Sequence, residues 1–255
     1  MRMYELSPNT KKIFVVGDLH GDFNSYEKIL NEWKKEKDST IVFLGDYADR
    51  GEQGVEVIES LEKLSKQKEV VALKGNHEDY YEFGDPRFFP CNLITEVKAK
   101  RGNWDSYFKQ FLQPFFQSLY LSAMLLGKIL FVHGGISSKI KNIDSLKHPD
   151  GEIEEDILWS DPSHIQKETP NRRGAGVEFG EDITKNVLRN INAEIVIRSH
   201  QPNLAKTGPD VSHNGKVLTI SSTSVYGGRP HYLEINVDEV SEFLKNPKKF
   251  SYYCD

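Results

Sequence analysis

The stretch Ile13-Phe14-Val15-Val16-Gly17-Asp18-Leu19-His20-Gly21 sets four apolar residues directly against a glycine, an aspartate and a histidine. An uninterrupted apolar run predicts a buried strand that stops at Gly17 and releases Asp18 and His20 into a loop. The arrangement recurs. Residues 40–44 form a second strand ending at Gly45-Asp46, and residues 70–73 a third closed by Gly75-Asn76-His77. Between them, residues 23–37 place Tyr26, Ile29, Leu30 and Trp33 at helical spacing, and residues 54–65 also read as a helix. Strand, helix, strand, helix, strand predicts a βαβαβ unit with a parallel sheet, hence an α/β fold.

The rest of the chain is less regular. Residues 80–103 are rich in proline, glycine and aromatic rings. Residues 104–116 have a helical period that Pro114 is expected to break or bend. Residues 119–125 and 128–132 predict two strands about a turn at Gly127, the second ending at His133-Gly134-Gly135. A charged loop is expected over 139–173, then a helix over 181–190 and a strand over 193–198 that stops at Ser199-His200. Two further strands, 216–222 and 231–237, complete the pattern. No low-complexity linker marks a boundary, so the expectation is one domain over residues 1–255.

Bulk properties narrow the partners. With 38% apolar and 28% charged residues the chain has enough to bury a core. A net charge of -5 gives no basis for expecting a nucleic-acid partner, which calls for a basic surface. Two cysteines, Cys91 and Cys254, are too few for a disulfide scaffold or a thiolate zinc site. Residues 1–12 do not look like a signal peptide, and no apolar run approaches the roughly 20 residues that cross a bilayer. The expectation is a soluble, cytoplasmic protein without a membrane partner.

Five predicted strands are each followed at once by a residue able to bind a metal: Asp18 with His20, Asp46, Asn76 with His77, His133, and His200. In an open α/β sheet, ligands bind beyond the carboxyl ends of the strands, so these donors are expected to meet. A single Gly-Asp is an ordinary turn, and a lone strand-end histidine an ordinary satisfied polar group. Five in succession are hard to explain by turns. Asp, Asn and His donors without thiolate suit manganese, iron or zinc better than calcium or magnesium. Two such ions, bridged by a carboxylate and a hydroxide, are equipped for in-line attack on a phosphoester.

With its GDxHG, GDxxDRG and GNHE signatures at residues 17–21, 45–51 and 75–78, the sequence resembles the phosphoprotein phosphatase family. These are metal-dependent protein serine/threonine phosphatases among the calcineurin-like metallophosphoesterases. His133-Gly134-Gly135, Trp159-Ser160-Asp161-Pro162, Arg173-Gly174 and Arg198-Ser199-His200-Gln201 continue the match, which runs from about Ile13 to Tyr226. The resemblance implies a central β-sandwich of mixed sheets flanked by helices, and phosphoserine or phosphothreonine in a protein or peptide as substrate. It implies two divalent cations, Mn2+ or else iron and zinc. One would be held by Asp18, His20 and Asp46, the other by Asp46, Asn76, His133 and His200. It further implies Arg50 and Arg173 as phosphate clamps with Asn76 as a possible donor, His77 as general acid oriented by Asp49, and Tyr226 as a secondary contact. Spacing alone leaves His77 equally free to sit near a metal, and leaves Arg172 as an alternative to Arg173. His148, His164, His213 and His231 match no ligand position. Two departures stand out: Ala48 where eukaryotic members usually carry valine, and the turn Ser224-Val225-Tyr226-Gly227-Gly228, which lacks a cysteine. No regulatory subunit is evident. The competing expectations are a diadenosine tetraphosphatase or similar small-molecule hydrolase, and a binding module without catalysis.

Overall fold

The computed structural model of the chain describes residues 2–254. In chain order it runs β1 (Met3–Glu5), β2 (Lys12–Val16), α1 (Phe23–Trp33), β3 (Ser39–Phe43), α2 (Gly54–Leu64), β4 (Val70–Ala72), α3 (Leu93–Arg101), α4 (Trp104–Tyr107) and α5 (Gln113–Ser118). The hairpin β5 (Ser122–Leu125) and β6 (Ile129–Val132) follows, then α6 (Ile143–Lys147), α7 (Gly151–Trp159), β7 (Asp161–Pro162), β8 (Glu168–Pro170) and β9 (Val177–Phe179). The remainder is α8 (Glu181–Asn190), β10 (Ile195–Arg198), β11 (Asp210–Ser212), β12 (Val217–Thr219), β13 (His231–Asn236), α9 (Val240–Phe243) and β14 (Ser251–Tyr253).

The expected βαβαβ unit is present: β2, β3 and β4 lie side by side and parallel. β13 and β14 extend this sheet antiparallel in the order β14-β13-β2-β3-β4. A second sheet has the order β1-β5-β6-β10-β12-β11, with β6, β10 and β12 parallel to one another, and β7-β9-β8 form a small third sheet.

Alternation along the strands explains the layering. Phe14 and Val16, Ile41 and Phe43, Val70 and Ala72 point to one face and pack on Tyr26, Ile29 and Leu30 of α1 and Val57, Ile58 and Leu61 of α2. Their neighbours Ile13, Val15, Val42 and Val71 point the other way, against Ala123, Phe131, Ile195, Ile197 and Leu218 of the second sheet. That sheet turns Leu130, Val132 and Val196 outward onto Ile153 and Ile157 of α7 and Val187 and Leu188 of α8. Helix, sheet, sheet, helix is the result, and strands buried on both faces must be apolar at every position, as β2 is.

Several expectations are corrected. The helical run over 104–116 is interrupted next to Pro114, as expected, but it does not end there. A wider π-helical turn over Phe108–Leu112 precedes Pro114, which falls in the first turn of α5, where its missing N–H and bulky ring are tolerated. Residues 80–103, for which no element was expected, contain α3, whose buried face is only Leu93 and Val97. Residues 139–173, read as loop, hold α6, α7, β7 and β8. Asn142 and Asp150 cap the two helices through Ser145 and Ile153. The short strands β1, β11 and β14 were not expected from the sequence.

Candidate metal centre

The loops after β2, β3, β4, β6 and β10 converge, and their backbone is shaped for it. His20, Asp46, Asp49, Arg50 and His200 all adopt left-handed conformations, with φ between +46° and +70°. Non-glycine residues rarely do so, and a cluster of them marks a site where the fold imposes geometry on side chains. Gly75 is needed at the centre, since a Cβ there would collide with Asp46 Oδ1 and the Asp46 amide.

The ligand atoms meet around Asp46. His20, Asp46 and His77 offer three atoms within 4.8 Å of one another, and Asp46, His133 and His200 a second such group. The two groups share Asp46, which makes the arrangement a dinuclear metal-binding site. His133 Nδ1 donates to the Leu44 carbonyl at 2.9 Å, so its Nε2 carries the lone pair. That bare nitrogen faces Asn76 Oδ1 at 3.0 Å, Asp46 Oδ1 at 3.3 Å and His200 Nδ1 at 3.1 Å. His20 repeats the logic: Nδ1 donates to the Ala48 carbonyl at 3.0 Å and Nε2 lies 3.5 Å from Asp46 Oδ2. Oxygen and nitrogen acceptors aimed at one another at these distances repel unless a proton or a cation lies among them.

Electrostatics agree. Burial first, then the charges of Asp18 and Glu78, push the Asp46 carboxyl well above the usual range, a sign that this cluster lacks positive charge. Burial holds His20 down at about 4 and His133 at about 3, and drives His200 well below the usual histidine value, so all three imidazoles are neutral and fit to ligate. Asp18 Oδ1 accepts the His200 amide at 3.0 Å, while Asp18 Oδ2 and His200 Nε2 are buried with no hydrogen-bond partner among the described residues. The donor set and these orphaned atoms fit a pair of divalent cations.

A cavity of about 570 Å³ opens over this centre and includes His77, Arg50, Arg173, Trp159, Phe89 and Tyr226 in its lining. His77 Nδ1 lies 2.7 Å from Asp49 Oδ2, and the other Asp49 oxygen accepts the Asn92 and Leu93 amides at the start of α3. Burial alone would raise the Asp49 pKa, but the His77 bond and these amides outweigh it and hold the carboxyl below its usual value. For His77, burial outweighs the Asp49 bond and charge, and its pKa falls below the usual histidine value rather than staying near it. Arg50 donates Nε to Tyr226 Oη at 3.3 Å and Nη1 to the Pro90 carbonyl at 2.9 Å. Arg173, not Arg172, lines the cavity, its Nε held 2.7 Å from Asp161 Oδ2.

The family profile for calcineurin-like phosphoesterase matches residues 11–204, a span that carries every ligand in these two groups. The chain belongs to that family. This calcineurin-like phosphoesterase is 31% identical to a serine/threonine-protein phosphatase of Caenorhabditis elegans over 92% of its own length and 54% of the relative's. It is 33% identical to human serine/threonine-protein phosphatase 5 over 89% of its own length and 46% of the relative's. The chain thus spans about half the length of these curated relatives. A protein serine/threonine phosphatase structure from Saccharomyces cerevisiae superimposes with TM-score 0.73 at 27% identity, covering 94% of this chain and 77% of that one. Among the described residues, no helix is long and apolar enough to cross a membrane.

The expected site residues lie around this centre, but the group of ligand atoms with His20 and Asp46 contains His77 where Asp18 was expected, and the supports of the site were missed. Glu78 accepts the amides of Asp46, Tyr47 and Gly75 at 2.9–3.0 Å, tying the loop after β3 to the loop after β4. Arg198 is wholly buried and reaches Asp161 Oδ1 at 2.9 Å, as well as the Gly134 carbonyl. Asp161 therefore joins Arg198 to Arg173. An arginine closing an apolar strand was the available signal, since such a charge is buried only when paired. His213 and His231 pack in the interior away from the metal cluster, and the His148 side chain is exposed.

Proposed function

We propose that this chain is a dinuclear metal-dependent phosphatase acting on phosphoserine and phosphothreonine in proteins. The observation that carries the reading is the Asp49–His77 pair beside two arginines in an open cavity directly over the metal-ligand cluster. The serine/threonine-protein phosphatases to which the chain is similar support the substrate class.

In this reading Asp18, His20 and Asp46 hold one cation, and Asp46, Asn76, His133 and His200 the other. The mixed nitrogen and oxygen donors favour manganese, iron or zinc. The cations, when bound, supply a nucleophilic water of lowered pKa and positive charge against the phosphoryl oxygens. Arg50 and Arg173 present planar guanidinium forks to the equatorial oxygens and fix the ester for in-line attack. Asn76 can donate its amide N–H to the same group. Protonated His77 gives Nδ1–H to Asp49 and keeps Nε2–H for the departing alkoxide. Asp49, held ionised by the amides of α3, orients the ring and stabilises its charge. Tyr226 restrains Arg50.

The test is steady-state turnover by the purified, Mn2+-loaded chain of phosphoserine and phosphothreonine peptides against diadenosine tetraphosphate. Higher kcat/KM on the peptides is expected. A strong preference for the dinucleotide would overturn the substrate assignment and leave the phosphoesterase chemistry in place.

A further inference from the structure

Asp22 closes the loop that carries His20 and caps α1, its Oδ1 accepting the Ser25 amide at 3.0 Å. Capping requires one oxygen. The second, Oδ2, accepts the Ser25 hydroxyl at 2.8 Å and, from the far end of the chain, both the amide and the hydroxyl of Ser224 at 2.7 Å. Ser224 opens the turn that carries Tyr226, closed by the Gly227 amide on the Ser224 carbonyl at 2.8 Å. The turn itself is open to solvent at Ser224, Val225 and Gly227, and Gly227 is left-handed at φ +71°. Asp22 is only 9% exposed, and its paired bonds to the solvent-facing Ser224 are part-buried and charge-assisted. At the other end of the same turn, the Tyr226 ring stands edge-on to His20 with centroids 5.5 Å apart, and its hydroxyl accepts Arg50.

We propose that Asp22 is a positioning residue: its carboxylate latches the Ser224 end of the turn and so holds Tyr226 against His20 and Arg50. The kinetic consequence rests on the phosphatase reading above, whereas the latch itself does not. An exposed turn ending in Gly227-Gly228 samples many conformations, and anchoring its first residue is what limits where Tyr226 can go.

Asp22→Asn separates the latch from the helix cap. Asparagine caps helices as well as aspartate, but offers one acceptor oxygen and turns an N–H2 toward the Ser224 donors. The variant is expected to unfold close to wild type, to bind the same metal, and to exchange the amides of residues 223–228 faster by mass spectrometry. Its Kd for inorganic phosphate and its KM for p-nitrophenyl phosphate should each rise roughly tenfold, the scale of one lost charge-assisted hydrogen bond. Because the effect passes through Tyr226, Asp22→Asn combined with Tyr226→Ala should be no worse than Tyr226→Ala alone. Unchanged exchange of the turn, or losses that simply add, would overturn the proposal. If Asp22→Asn does not fold, Ser224→Ala, which leaves the cap intact, makes the same comparison with a smaller effect. A wild-type protein that hydrolyses no phosphate ester would sink the phosphatase reading, while the exchange result would still decide the latch.

Discussion

Replacing Asp161 with asparagine should destabilise this protein far more than a surface mutation, and the structure sets the size. Arg198 has no exposed surface, and among the described residues Asp161 is its one anionic hydrogen-bond partner, at 2.9 Å. Its other contacts, the Gly134 and Ser160 carbonyls, the Thr219 hydroxyl and the Gln201 amide, are neutral. Burial already lowers the Arg198 pKa despite the Asp161 charge, so removing that charge leaves a buried cation poorly compensated. Breaking a buried pair from one side costs about 3–5 kcal/mol, and asparagine keeps one acceptor, which places the loss near the lower end. The half-exposed Arg173–Asp161 pair adds less than ~1 kcal/mol, because solvent screens it. Against a total of roughly 5–15 kcal/mol the variant still folds. Urea unfolding followed by tryptophan fluorescence, with both proteins stripped of metal to remove binding linkage, measures the difference. The combined change Asp161→Leu with Arg198→Met should recover most of the loss, since an apolar pair of similar volume carries no buried charge. A loss below about 1 kcal/mol for Asp161→Asn would refute the argument that this carboxylate compensates Arg198.

Two further outcomes follow from the site and the core. His77→Asn should cut turnover of a phosphoserine peptide by about 10²–10³ while p-nitrophenyl phosphate, whose leaving group needs no proton, suffers much less; equal losses on both, or loss of metal, would count against the acid role. His231, buried with its Nδ1 toward the Arg229 carbonyl, is held at about 4 by burial. Its folded pKa lies below the unfolded value, so its contribution is fully present above pH 6.5 and is lost as pH falls toward 4, by about 3 kcal/mol in all. His231→Gln should therefore flatten the fall in stability over that window relative to wild type, and parallel curves would contradict this.

How legible these features were in the sequence depended on local signal. Strands buried on both faces left continuous apolar runs, and each ran within a few residues into a ligand, so β2, β3, β4, β6 and β10 could be found with Asp18, Asp46, Asn76, His133 and His200 attached. α3 was hidden because Leu93 and Val97 are its whole buried face among lysines and an arginine. α7 was read as loop because its acidic run Glu154-Glu155-Asp156 masked Ile153 and Ile157, although Asp150 was a readable cap. The edge strands β1 and β14, three residues each, carry too little period to detect. The stacking of two sheets is a tertiary property that no local period encodes, and the resemblance alone supplied it. Glu78, Asp161, Arg198 and Asp22 act through partners 31 to 202 residues away, which the chain order conceals.

Asp46 is the hinge of the account, since both groups of ligand atoms contain it. Metal content by inductively coupled plasma mass spectrometry on the Mn2+-loaded wild type and Asp46→Asn, read beside kcat, tests it most directly. The account predicts two ions per wild-type chain, and an Asp46→Asn protein that folds but loses metal from both sites together with nearly all turnover. An Asp46→Asn protein that keeps two ions and full activity would contradict it.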